Sequence, residues 1–401
     1  VLLIGLLVRA WPWLSEPLMP WEDGALFFAQ NYAEFEWVAA IHPYAGYVPV
    51  GSNLQSLLVC RAPTTWIPSA FVLSAALMLL GAAATLLRPA WQKVAPFGTR
   101  LLMAVAIAWV PFGSNLEFTS LAYSQWPQLL WLFLLLVEPA DDRTRGWLAA
   151  VSRFALVACL TVCNPVGLVL LPLGLWLMRQ RAKRLDGAAY LVAMGVFVGI
   201  ILCCRNQDLV PEIAGLWRDL LPAMARPVFV ESFFGLDGWR ALRSVGSAAE
   251  WGAALGVLVG FVALVGRAFR SWSREVRFFA IAATGFALAT VAVSLVCRPG
   301  WMAAEQHVVR YAWPARAVVW LLTCLALATL WRPRLAAVVV ALLAAGVTVG
   351  NADLHRHPRG DWGVGAFMLE LKEQEEELGG RRWIRTRWQP EKGPMIVIRP
   401  H

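Results

Sequence analysis

Apolar residues run through this chain in blocks rather than at the spacing of a surface helix or a half-buried strand. Eleven stretches carry them: residues 1–14, 66–87, 101–112, 126–137, 147–163, 166–178, 188–204, 251–266, 278–297, 312–331 and 335–350. A helix that crosses a bilayer needs ~20 mostly apolar residues. The pattern therefore predicts an all-α polytopic membrane protein with about eleven transmembrane helices. The shorter blocks, 101–112 and 126–137 above all, must extend into polar flanks, tilt, or sit in protein rather than lipid. The chain opens at Val1 inside an apolar block that is expected to continue upstream, and the first fourteen residues read as a span with no cleavage site.

The polar connections alternate in character. Every second one is short and basic: Arg88, Lys93 and Arg100; Arg143 and Arg145; Arg179, Arg181, Lys183 and Arg184; Arg267, Arg270, Arg274 and Arg277; Arg332 and Arg334. Short basic connections stay on the cytoplasmic side. That puts the N-terminus inside and, after eleven spans, the C-terminus outside. Two outer connections are long, 15–65 and 205–250, and three are short, 113–125, the Asn164-Pro165 break and 298–311. The expected division is a membrane domain over 1–350 and an extracytoplasmic tail over 351–401, a small α/β unit. In the tail, 366–378 reads as an amphipathic helix stopped by Gly379-Gly380, and 395–398 as a strand. The acidic run 373–377 reads as a solvated face. No internal repeat is visible, so an inverted-repeat transporter gains no support.

Composition agrees with lipid as the main solvent. Hydrophobic residues are 59% of the chain and charged ones 15%, against roughly 25% charged in soluble domains. The net charge of +9 belongs to the orienting clusters, so nucleic acid is not an expected partner. The seven cysteines lack metal-ligand spacing; Cys159 and Cys163 read as packing residues, and a disulfide among Cys60, Cys203, Cys204 and Cys297 stays open. His355 and His357 have no clear partner, and no metal ligand is assigned.

Candidate chemistry lies in the outer connections. Glu22-Asp23, just past the first block, places adjacent carboxylates at the membrane surface, where one could take a proton from an attacking hydroxyl. Asp23 also suits the N-cap of a helix through Ala25-Leu26-Phe27-Phe28. Arg298, His307 and Arg310 share one short connection and could meet a phosphate at headgroup level, Arg offering a planar fork for it. His42, Tyr44 and Tyr47 in the first connection could line a substrate, as could Glu117, Tyr123 and Gln125 in the second and Tyr311.

A first span, a long outer connection opening with Glu22-Asp23 and a second long outer connection after the seventh span together resemble the GT-C superfamily of membrane glycosyltransferases. Pro43-Tyr44-Ala45-Gly46-Tyr47 and Arg310-Tyr311 are similar to features of its bacterial members. The resemblance implies transfer of a sugar from a polyprenyl-phosphate donor outside a bacterial inner (plasma) membrane, with Asp23 as the catalytic aspartate. No second metal-binding carboxylate matches, so a divalent metal stays open as cofactor. The partners implied are the lipid-linked donor, membrane lipids and other membrane subunits. Two other functions fit the same layout: a non-catalytic subunit of a larger membrane assembly, and a transporter or flippase of lipid-linked glycans. For the latter, the ionisable residues within spans are few, chiefly Arg9, Arg153 and Arg316.

Overall fold

The computed structural model describes residues 2–15, 27–28, 31–32, 40–41, 49–109, 120–140, 146–203, 216–297, 308–331, 333–349, 364–377, 387–388 and 396–397. Its helices are α1 (Leu2–Ser15), α2 (Val50–Val59), α3 (Ile67–Thr85), α4 (Phe97–Trp109), α5 (Gln125–Val137), α6 (Trp147–Thr161), α7 (Leu171–Met178) and α8 (Arg184–Cys203). They continue with α9 (Leu216–Ala223), α10 (Glu231–Val245), α11 (Ser247–Phe269), α12 (Arg274–Cys297), α13 (Val308–Leu330), α14 (Pro333–Val349) and α15 (Val364–Glu377). Arg387–Trp388 and Ile396–Val397 pair as a two-stranded antiparallel ladder.

Five helical stretches are long and apolar enough to cross a membrane: Thr64–Thr85, Arg181–Cys203, Ser247–Phe269, Arg274–Val296 and Tyr311–Leu330. This makes the chain a predominantly helical membrane protein. A sixth crossing arises if α6 and Pro165–Met178, bent by 120°, count as one broken span. The count of about eleven is thus not reached by full-length helices among the described residues. The other expected spans are short helices. At 1.5 Å per residue, the 13 residues of α5 reach only ~20 Å, against a hydrocarbon core of ~30 Å. What lets α5 exist is its surroundings: from Leu129 to Val137 nearly every side chain is buried, so protein rather than lipid surrounds it.

Helix α13 forms the centre, packing against α4, α5, α11, α12 and α14. Trp313 and Arg316 on it are among the largest fully buried side chains. Aromatic contacts tie its neighbours together: Phe133 of α5 stacks on Phe286 of α12 at 4.4 Å, and Trp91 meets Phe279 edge-on at 5.3 Å.

The two long connections carry helices of their own. The first contains α2. The second contains α9, the π-helical turn Met224–Val230 and α10, which dock into the bundle instead of ranging over its surface. Arg316 donates to the Pro227 carbonyl and to Glu231, and Trp320 Nε1 donates to the Ser232 carbonyl at 3.1 Å. Gly235, at φ 72°, makes the sharp bend inside α10 that L side chains resist.

The short basic connections gather at one end. Glu138, after α5, pairs with Arg88 after α3 at 3.1 Å and with Arg153 of α6. Asp186, opening α8, pairs with Arg153 at 2.7 Å and Lys183 at 2.9 Å. Lys93 donates to the Ala140 carbonyl at 2.9 Å, and Trp272, between α11 and α12, donates to Thr329 near the end of α13 at 2.9 Å. Because Arg153, Gln180 and Lys183 all lie at this basic end, the bent pair of α6 and Pro165–Met178 enters and leaves there. Two spans or a re-entrant loop would both do so.

Candidate functional site

The opposite end collects the connections expected outside. Ser52 Oγ of α2 donates to the Leu121 carbonyl at 3.2 Å, joining the first connection to the second. Asn164 Oδ1 accepts from the Val166 N–H at 2.8 Å, which caps the turn at Pro165. Its Nδ2 reaches the Gln125 carbonyl at 3.4 Å, so the Asn164 break meets the same segment. Trp126 packs edge-on against Tyr311 at 5.3 Å, which brings in the start of α13. Gly51 closes the group: a Cβ there would lie 2.2 Å from Cys163 Sγ and 2.8 Å from its Cβ, so only glycine lets α2 approach this closely.

Together these contacts make a buried polar layer. Asn31 Nδ2 donates to the Phe27 carbonyl at 2.8 Å and to Ser56 Oγ at 3.1 Å, while Arg61 donates to the Asn31 carbonyl. Gln128 Nε2 donates to Ser124 Oγ at 3.3 Å. Three polar atoms here have no partner among the described residues: Asn31 Oδ1, Gln128 Oε1 and Trp126 Nε1. Burying an amide oxygen unpaired costs ~1–3 kcal/mol. Apart from the exposed Arg61 at its edge, the layer is made of amides, hydroxyls and indole, and such groups suit hydrogen bonding to hydroxyl-bearing molecules.

The expected site residues divide sharply. Tyr123 and Gln125 lie in this layer, Tyr123 buried and Gln125 half-buried, and Tyr311 packs against its edge through Trp126. Arg310 is described as a backbone position only, the third residue of α13 and next to Tyr311. Glu22, Asp23, His42, Tyr44, Tyr47, Glu117, Arg298 and His307 lie outside the described residues. Ser52, Ser56 and Gln128 were missed from the sequence. Polar positions four apart, Ser52 and Ser56, were the available signal, and they read as loop because 15–65 lacked a long apolar block.

Other expectations meet the structure here. The tail helix runs over Val364–Glu377 and docks on the turn Thr64–Trp66, burying Met368 and Leu371. The acidic run is not wholly solvated, because Thr64 Oγ1 donates to Glu375 while Glu373, Glu376 and Glu377 are exposed. Neither Cys60 nor Cys203 forms a disulfide among the described residues; Cys60 is buried beside Ser56 Oγ at 3.8 Å. Cys163 packs inside as expected, whereas Cys159 is exposed. Among the described residues no three His, Cys, Asp or Glu side chains come together in a way that could hold a metal.

No protein-family model matches the sequence, and no curated protein sequence matches it. In structure it is similar to the archaeal oligosaccharyltransferase AglB from Archaeoglobus fulgidus, solved with an inhibitory peptide and a dolichol-phosphate. The TM-score is 0.40 and the identity 14%, over 98% of this chain and 61% of that one. The chain thus spans about three-fifths of that protein's length, and the likeness is too distant to carry residue roles across.

Proposed function

We propose that this chain is a membrane glycosyltransferase of GT-C type, moving a sugar from a polyprenyl-phosphate donor to an acceptor at the polar end of the bundle. One observation carries the reading. Connections that the sequence assigns to the outer face converge on one buried layer of amides, hydroxyls and indole, incompletely hydrogen-bonded among the described residues, and the helix whose third residue is Arg310 starts beside it. In this reading Asp23, four residues before Phe27 in the chain, is the general base, and Glu22 assists it or shares a divalent metal. Arg310, His307 and Arg298 take the donor phosphate. His42, Tyr44, Tyr47, Glu117, Tyr123, Gln125 and Tyr311 line the acceptor side. The polar end faces outward from a bacterial inner membrane, with 1–350 as the membrane domain and 351–401 as the extracytoplasmic tail. The flippase alternative draws less support, since Arg153 and Arg316 are locked to carboxylates and Arg9 donates to the Ala108 carbonyl at 2.5 Å.

The decisive experiment is sugar transfer by the purified chain with Asp23→Asn. Asn keeps the size and the capping ability of Asp but cannot accept the proton. Transfer is expected to fall ~10²–10⁴-fold, with thermal unfolding in detergent unchanged and Glu22→Gln costing less. Retention of more than about a tenth of the activity removes Asp23 as the base. A wild-type chain inactive with every donor favours the subunit or flippase. The orientation has its own check: a cysteine placed in the tail should react with an impermeant reagent in intact cells. Labelling only after lysis turns the polar end inward.

A further inference from the structure

A cavity of about 270 Å³ opens at the basic end, far along the helices from the polar layer. Glu138, Trp176, Lys183, Arg274, Glu275 and Phe278 line it. Its apolar wall is built from two helices, with Trp176 of α7 stacked on Phe278 of α12 at 4.5 Å. Two of its charged groups are already committed. Glu138 is held by Arg88 and Arg153, and Lys183 Nζ donates to Asp186 at 2.9 Å and to the Leu135 carbonyl at 3.0 Å. An ammonium has three N–H groups, so Lys183 keeps one to spare. Arg274 is exposed and enters no ion pair among the described residues. Its sequence neighbour Glu275 is also exposed and lines the same cavity; its carboxylate accepts from its own N–H and from Ser273 and lies near the charges of Arg274 and Lys93, which leaves carboxylate lone pairs for a further donor.

We infer that this cavity binds the headgroup of an aminophospholipid, its phosphate on Arg274 and Lys183 and its ammonium on Glu275. Size suits a headgroup: at about 270 Å³ the cavity lies just below the ~300–1,000 Å³ of pockets for drug-sized ligands. Charge decides against a purely anionic one, because Arg274 and Glu275 stand side by side and offer a cation and an anion in equal number. Position decides for a lipid. The cavity joins an aromatic wall to charges at the ends of membrane-length helices, the level at which phosphates and indole rings meet. A planar guanidinium suits the phosphate oxygens, and the Trp176–Phe278 wall is left for the start of the acyl chains.

The test is binding to the full chain, purified and stripped of lipid, by native mass spectrometry with single lipids added. Phosphatidylethanolamine should bind at least tenfold more tightly than phosphatidylglycerol or diacylglycerol. Arg274→Ala should weaken it about tenfold or more, the loss of one charge-assisted hydrogen bond. Glu275→Gln should bring phosphatidylethanolamine and phosphatidylglycerol within twofold of each other. Both positions are exposed, so lipid-free unfolding should match wild type, and Arg270→Ala, outside the cavity, should bind normally. Equal binding of the two phospholipids by wild type overturns the ammonium site. An unaffected Arg274→Ala overturns the phosphate site. Full competition by soluble phosphoethanolamine or inorganic phosphate at lipid-like concentration assigns the cavity to a free phosphate compound instead of a lipid.

Discussion

At the basic end, Arg153 is held by Glu138, Asp186 and the Leu135 carbonyl, and every one of these groups is buried. At the polar end, Gln128 and Asn31 are just as buried, yet each leaves an amide oxygen without a donor among the described residues. The difference follows from charge. An ion withdrawn from water costs several kcal/mol unless it is paired and hydrogen-bonded, so the charged end had to be closed by its own residues. An unpaired neutral amide costs far less, so the polar end can leave hydrogen-bonding capacity for something that arrives later. The buried ion pairs around Arg153 read as structure, and the amide layer of the polar end leaves hydrogen bonds still to be made.

The comparison breaks most readily at Arg153. Arg153→Leu leaves Glu138 and Asp186 facing each other across a dry interior, and removing one partner of a buried pair costs ~3–5 kcal/mol. Thermal unfolding in detergent should show that loss, and a variant that stays within about 1 kcal/mol of wild type means water already enters this end. The matching change at the polar end is Gln128→Leu. It removes the unpaired acceptor together with one hydrogen bond to Ser124, so stability should move by about 1 kcal/mol or less in either direction. Transfer should drop at least tenfold under the proposed function. Full activity with unchanged stability shows instead that water alone satisfies Gln128. The smallest expected effect sharpens the basic end: Arg88 pairs with the same Glu138 but is 39% exposed. Solvent screens such a pair, so Arg88→Ala should cost at most ~1 kcal/mol, and a loss as large as that of Arg153→Leu would join Arg88 to the buried network.

Much of this arrangement was legible before any coordinates. The basic clusters between apolar blocks indicated which connections belong together, because the rule behind them acts on local sequence. Arg88 and Lys183, from two of those clusters, do meet around Glu138 and Asp186, joined there by Arg153, which the sequence placed inside a span. The polar layer was only half legible. Tyr123, Gln125 and Tyr311 stood out as polar side chains beside apolar blocks, but Ser52, Ser56 and Gln128 did not. Their role depends on α2 lying against α5, and a block 205–250 that looked like loop turned out to hold α9 and α10 for the same reason. Short helices with mixed faces carry too little hydrophobic signal to be seen until their partners are known.

The sequence by itself determined that this chain lives in a membrane, that it is helical, and that its connections sort into two sets. Apolar block length and the placement of Arg and Lys are local quantities, and lipid leaves the backbone few alternatives to helix. Only the tertiary structure decided which blocks face lipid and which are wrapped in protein, as α5 is. It alone decided that Asn164 turns a helix back on itself, that Arg316 anchors the second long connection, and that the buried carboxylates Glu138 and Asp186 of one end are ion-paired while amide oxygens of the other lack donors among the described residues. Those outcomes rest on contacts between residues 89 and 99 positions apart, such as Arg316 with Pro227 and Arg9 with Ala108. No local pattern encodes such pairs, since each depends on how the helices pack around α13.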